Sequence, residues 1–338
     1  MTILVTGGAG YIGSHTLIAL AEANSKEKII VIDNYANSSI KVNERVQTLA
    51  KRSFFFHTLD VCNLEGLREI FQRNNIHTII HFAGLKSVSQ SIHSPLEYYD
   101  NNFTATINIL KCMKEYNVNK IIFSSSATVY GPPEFIPLNE NAKVGGTTNP
   151  YGSSKLFCEQ LLKDFTSAYS DKTVINLRYF NPVGAHESGV IGEDPCGIPN
   201  NLIPFIYQVA IGKLPALKVY GTDYPTHDGT GVRDYIHVMD LAEGHVAALR
   251  KDPGPGFYTY NLGTGKGYSV LDVVNTFKKI SGTTLNVEMS ERRKGDVAEC
   301  WSDPNKANTE LNWKAQRDLA TMLADGWKWQ QQNPDGYI

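Results

Sequence analysis

No apolar run in this chain approaches the ~18 consecutive residues that a membrane-spanning helix needs. Met1 leads directly into a short apolar run, Thr2-Ile3-Leu4-Val5, which leaves no room for a secretion signal. Cysteine is sparse: Cys62, Cys112, Cys158, Cys196 and Cys300 lie far apart, with no Cys-x-x-Cys. Free thiols in a reducing compartment fit that pattern better than disulfides or zinc. Charge of one sign is also missing. The net charge of −2 offers no basic footprint for nucleic acid. There is no internal repeat, low-complexity tract or long linker. These absences predict a cytoplasmic protein with no metal site and no membrane or nucleic-acid partner.

What is present is a regular alternation of strand-like and helical segments. Ile29-Ile30-Val31-Ile32 ends at Asp33, and Phe54-Phe55-Phe56-His57-Thr58-Leu59 ends at Asp60. Thr78-Ile79-Ile80-His81-Phe82 ends at Ala83-Gly84, and Lys120-Ile121-Ile122-Phe123 ends at Ser124-Ser125-Ser126. Val174 to Tyr179 runs into Phe180-Asn181-Pro182. Helical spacing fills the gaps at 12–23, 64–73, 105–116 and 151–167. The alternation predicts an α/β protein with a doubly wound parallel sheet, Rossmann-like, over residues 1–180. Gly, Pro, Asn and Asp crowd 181–201 and 221–234, so 181–338 reads as a smaller, loop-rich substrate lobe. Segments near 234–262 are expected to return to the main sheet. His81 and His237 fall inside apolar runs and read as packed core residues.

Ligands of such sheets gather beyond the carboxyl ends of the strands. The first turn holds Gly7, Gly8, Gly10 and Gly13 between a strand and a helix, and Gly8-x-Gly10-x-x-Gly13 matches the dinucleotide fingerprint. An ordinary tight turn also uses glycine, but the strand, the helix and Asp33 twenty residues past Gly13 complete the context. A carboxylate there can accept from ribose hydroxyls and repels a 2′-phosphate, which favours NAD over NADP.

Tyr151 and Lys155 are four residues apart, on one face of the predicted helix. A free phenol ionises near pH ~10, and bringing it to ~7 takes roughly 4 kcal/mol. One positive charge at ~4 Å supplies about that much at an effective dielectric of ~20. A bound oxidised nicotinamide acts in the same direction. Two surface residues also occur at this spacing by chance, so the reading as a tunable base rests on the adjoining glycine loop.

Gly7-x-x-Gly10-x-x-Gly13, Ser126 and Tyr151-x-x-x-Lys155 together resemble the extended short-chain dehydrogenase/reductases. Longer blocks narrow the resemblance to the UDP-galactose 4-epimerases of that family. They are 81–86, 95–102, 178–185 and 229–238, and the match runs from the first strand to Gly336-Tyr337. The resemblance implies NAD held throughout turnover, Tyr151 as base, Ser126 bridging it to the sugar 4-hydroxyl, and Lys155 beside it. It implies cofactor contacts from Gly7, Gly10, Tyr11, Ile12, Gly13, Asp33, Asn34, Asp60, Val61, Phe82, Ala83, Gly84, Lys86, Asn101 and Phe180. Nucleotide-sugar contacts carry over to Lys86, Asn181, Asn201, Leu202, Tyr220, Arg233, Arg293 and Asp296. Asn181 before Pro182 can equally form a turn, and Arg293 beside Arg292 and Lys294 can be solvated charge. A forked guanidinium nevertheless suits diphosphate oxygens.

Other extended-family nucleotide-sugar enzymes, such as a 4,6-dehydratase or a decarboxylase, share the fold and the Tyr-Lys pair. A dehydratase needs acidic groups after the Ser126 strand, where Ala127-Thr128-Val129-Tyr130 has none. A non-catalytic dinucleotide sensor would need neither Ser126 nor the Tyr-Lys pair. The resemblance also places Cys300 where hexose-restricted members have a bulky Tyr, which implies additional turnover of N-acetylated sugars. It further implies a homodimer formed through 98–116 and 151–168.

Overall fold

The computed structural model describes residues 1–338 other than Ser25, Cys196, Lys294 and Ile338. Two residues discussed above, Cys196 and Lys294, therefore lie outside the described residues. The first six strands are β1 (Thr2–Thr6), β2 (Lys28–Asp33), β3 (Phe55–Thr58), β4 (Thr78–His81), β5 (Lys120–Ser126) and β6 (Thr173–Tyr179). Then come β7 (Asn181–Val183), β8 (Leu217–Tyr220), β9 (Val232–His237) and β10 (Gly256–Leu262). Seven of these pair in parallel in the order β10-β6-β5-β4-β1-β2-β3. The order reverses direction between β1 and β4, which opens a crevice at their carboxyl ends.

The runs are continuously apolar because both faces of the sheet are covered. Ile3, Val5, Ile29, Val31, Ile80, Ile122 and Ile175 point into one core, with Leu17, Ile18 and Leu20 of α1 (Tyr11–Glu22) and Val42 and Val46 of α2 (Lys41–Ala50). Leu4, Ile30, Ile32, Ile79, Ile121 and Val174 point the other way. There they meet α3 (Leu64–Arg73), α5 (Pro95–Glu115) and α6 (Pro150–Ala168); the short α4 (Val88–His93) precedes α5. The start of α6 follows from its residues. Asn149 Oδ1 accepts the Gly152 N–H at 2.8 Å, and Pro150 occupies the first helical position.

The second lobe has its own core. It is built from α7 (Leu202–Ala210), β8, and two later helices, residues 270–281 and 319–332, with Ile206, Phe277 and Leu323 fully buried. The return to the main sheet is only partly as expected. β10 lies against β6, and the intervening helix α8 (Val238–Arg250) covers the α1 face. β9 does not join that sheet. It pairs with β7, with β11 (Gly267–Ser269) and, beyond β12 (Val287–Ser290), with β13 (Glu299–Cys300). Its backbone groups are taken by these short partners, and Val238 already begins α8. Among the described residues, no helix is long and apolar enough to cross a membrane.

Candidate active site

A continuous cavity of about 770 Å³ opens at the carboxyl ends of β1, β2, β4 and β5 and extends into the second lobe. All the residues named above as candidate cofactor, catalytic or substrate contacts line it. At one end, Gly7 takes φ +69° and donates its N–H to the Ile32 carbonyl at 2.8 Å. A Cβ on Gly13 would lie 2.4 Å from the Gly7 carbonyl, so that glycine is needed for packing. Gly10 differs, since a Cβ there would meet only the Gly7 carbonyl at 3.2 Å. Gly10 is the N-cap of α1 and supplies no side-chain cap, leaving the first amides of the helix directed at the cavity. That is the cradle an anionic pyrophosphate requires.

Asp33 closes the loop from the far side. Its Oδ2 accepts the Ala9 N–H at 3.0 Å, and its Oδ1 accepts from Tyr35 N and Ser38 Oγ at 2.9 and 3.0 Å. A carboxylate has about four lone-pair sites, so roughly one is left for a ribose hydroxyl along with the negative charge. Asn34 Nδ2 donates to Asp60 Oδ2 at 2.9 Å, which ties the ends of β2 and β3.

At the centre, Ser126 ends β5 and faces Tyr151 on the first turn of α6. The Ser126 Oγ accepts from Thr128 N at 3.2 Å and from Thr128 Oγ1 at 3.0 Å, so its own hydrogen is free to be donated. Burial raises the Tyr151 phenol above its usual value, while the hydrogen bond with Ser126 acts to lower it. Lys155 Nζ donates to the Ser124 carbonyl at 2.8 Å and lies 5.0 Å from the Phe123 ring centre. Burial also lowers the Lys155 ammonium, with Cys158 and Glu159 opposing that shift.

At the other end, Arg293 lies over the Tyr220 ring at 4.2 Å, and Arg233 hangs from β9 with Nη1 on the Val232 carbonyl at 2.8 Å. Arg292, adjacent in sequence, is engaged elsewhere, since it pairs with Asp223 at 2.7 Å and stacks on Tyr224. Arg293 therefore differs from its neighbour in facing the cavity. Cys300 lies in register with Arg233 and packs against the cluster of Ala127, Tyr130, Leu138, Ala142 and Phe180. Burial pushes its thiol up to about 11, which keeps it neutral.

The histidines are structural. His81 is buried and bonded to Thr6 Oγ1 at 2.6 Å, and its pKa is lowered to about 3 by burial. His237 caps α8 through the Met239 N–H. Sequence reasoning missed three residues at the site. Thr128 orients Ser126. Asn102 accepts from Leu85 N at 2.7 Å and donates to Ser154 at 2.9 Å, joining the β4 loop to α6. Glu193 pairs with Lys86 at 2.9 Å across the cavity mouth. Only Asn102, two helical turns into a helix of mostly apolar spacing, carried a signal that could have been read.

A family model described as GDP-mannose 4,6 dehydratase matches residues 4–326. The chain is 56% identical over 338 residues to a UDP-glucose 4-epimerase of Pasteurella multocida, covering 100% of this chain and 99% of that protein. The crystal structure of UDP-glucose 4-epimerase from Bifidobacterium longum in complex with NAD+ and UDP superposes with a TM-score of 0.96 at 51% identity, covering 99% of this chain and 100% of that one. A UDP-Glc/GlcNAc 4-epimerase from Campylobacter jejuni superposes with a TM-score of 0.84 at 36% identity, over 98% and 99% of the two chains. The dehydratase description names a wide group, and the short 3₁₀ turn after Ser126 has no carboxylate for an elimination. With more than half its residues shared along the full length of both chains, the protein belongs to the UDP-glucose 4-epimerase family.

Proposed function

We propose that this protein interconverts UDP-galactose and UDP-glucose through transient oxidation at carbon 4, and that it does the same for the N-acetylated pair. The observation that carries this reading is the single cavity linking the uncapped α1 terminus, Ser126 with Tyr151, and the two arginines. A secondary alcohol with no leaving group cannot be inverted by displacement, but it can be oxidised and then reduced from the other face. Bound NAD supplies the reversible hydride acceptor and, when oxidised, a second positive charge near the phenol.

The α1 amides and Asp33 hold the dinucleotide, while Lys155 anchors beside Ser124 and adds its charge to the site. Tyr151, raised by burial, needs that combined positive charge to become phenolate. It then removes the 4-hydroxyl proton through Ser126, which gives its own hydrogen to the phenolate and accepts the sugar's on the same oxygen, the place taken by the rotatable Thr128 hydroxyl in this structure. Arg233 and Arg293 grip the diphosphate and Tyr220 lies by the nucleotide, so the hexose is left free to turn between the two hydride transfers. Denaturing the purified protein should release nearly one dinucleotide per chain. A cofactor-free protein that consumes NAD+ stoichiometrically would instead be a net dehydrogenase.

A cytoplasmic homodimer fits the surface. Cys62, Cys112, Cys158 and Cys300 are free thiols. Leu96 on α5 is 80% exposed, and Phe157 on α6 is 50% exposed and stacks on Tyr99 at 5.9 Å. Wild-type protein should sediment with the mass of two chains, and Phe157→Arg should halve it. A monomeric wild type would refute this assembly.

A further inference from the structure

One buried ion pair has no part in the chemistry above. Glu159 and Arg178 have side chains 6% exposed and meet bidentately, Nε to Oε1 at 3.0 Å and Nη2 to Oε2 at 2.7 Å. Burying such a pair gains little stability over apolar residues of the same volume, so its presence calls for another reason. Its partners supply one. Glu159 lies one helical turn beyond Lys155 on α6, and its Oε1 also accepts Ser125 Oγ at 2.5 Å. Ser125 immediately precedes Ser126 on β5. Arg178, on β6, lays its guanidinium 4.7 Å from the Tyr130 ring centre, and its Nη1 has no hydrogen-bond partner. Tyr130 ends the turn that carries Thr128, and its hydroxyl donates to Asn261 Oδ1 at 2.7 Å. Tyr130 also belongs to the apolar cluster behind Phe180 and Cys300.

We infer that Glu159 and Arg178 are positioning residues: the pair clamps α6, β5 and the 127–130 turn together, setting Tyr151 against Ser126 and fixing the wall beside the sugar. This rests on the epimerase reading. Tyr151 on α6, Ser126 at the end of β5 and Thr128 on the turn that follows it must agree in the reaction, and this pair contacts all three elements. A carboxylate bonded to both a serine and a guanidinium fork has one geometry, whereas apolar packing would let α6 slide along the sheet. A displacement of about 1 Å between base and hydroxyl is enough to cost much of the rate.

Steady-state kinetics with UDP-galactose test this. Glu159→Gln should lower kcat roughly 10-fold or more, with KM, UDP affinity and dinucleotide content within about twofold of wild type. Removing both charges, in Glu159→Leu with Arg178→Met, should recover thermal stability but not kcat. A purely structural role predicts that both recover together. Ser125→Ala leaves the ion pair intact and should still lower kcat, and Ser125→Thr should restore it, which decides the matter even if Glu159→Gln fails to fold. Wild-type kcat in the folded double variant or in Ser125→Ala overturns the inference. A wild-type chain that turns over no UDP-galactose would refute the epimerase reading itself, whereas an active wild type with an unchanged Ser125→Ala refutes only the positioning role.

Discussion

Tyr151→Phe should lower turnover of UDP-galactose by roughly 10²-fold or more while UDP binding and dinucleotide content persist. The ring and its packing stay, and only the ionisable oxygen is lost. The cavity leaves few substitutes for it. His81 is kept neutral in the core by burial, with the Lys155 charge acting the same way, and Cys300 is kept neutral by burial. Lys155 offers a further check. Lys155→Met removes the ammonium that donates to the Ser124 carbonyl, so the phenol should ionise only at higher pH. Its activity loss should therefore be largest near neutrality and shrink as pH rises, while Tyr151→Phe should show no such recovery. Wild-type rate for Tyr151→Phe across neutral pH would remove Tyr151 from its assigned role.

Cys300→Tyr should abolish turnover of UDP-N-acetylgalactosamine, by roughly 10²-fold or more, and leave UDP-galactose within a few-fold of wild type. Cys300 sits on a two-residue strand beside Arg233, against a wall of Phe180 and Tyr130. A phenol ring there fills space that a rotating 2-acetamido group needs, whereas the plain hexose has only a hydroxyl at that carbon. Steric exclusion of an oversized substituent is far stronger than rejection of a smaller one, so the change should act on one substrate pair. A wild-type chain inert toward saturating UDP-N-acetylgalactosamine, or a variant that loses both activities alike, would refute this account of the pocket.

The main sheet was legible because its strands are buried on both faces. Ile29 to Ile32 or Ile79 to Phe82 have no polar alternation to confuse with a helix, and each ends at a residue that lines the cavity. The start of α6 was marked by Asn149-Pro150. The second sheet was not legible. β9 reads as an apolar strand like the others, and nothing local shows that its partners are three short runs 181–183, 267–269 and 299–300. The candidate site residues came from motif spacing and from the family resemblance, and they line one cavity, but their mutual orientation was not legible. That Lys155 turns to the Ser124 carbonyl, that Thr128 rather than Tyr151 occupies the Ser126 oxygen, and that Arg178 reaches Glu159 are all tertiary facts. Glu159 did carry a signal, a carboxylate four residues beyond Lys155 on an otherwise buried face, and it has meaning only once β6 brings Arg178 to it.

The central claim is that the hydrogen on carbon 4 leaves and returns as hydride within one site. UDP-galactose labelled with deuterium at carbon 4, incubated with purified protein and no added cofactor, tests it most directly. The UDP-glucose formed should carry the deuterium at carbon 4, with none released to water, because hydride held by a retained dinucleotide does not exchange with solvent. Product with ordinary hydrogen at carbon 4 and label in the water would mean proton abstraction, and would contradict the account.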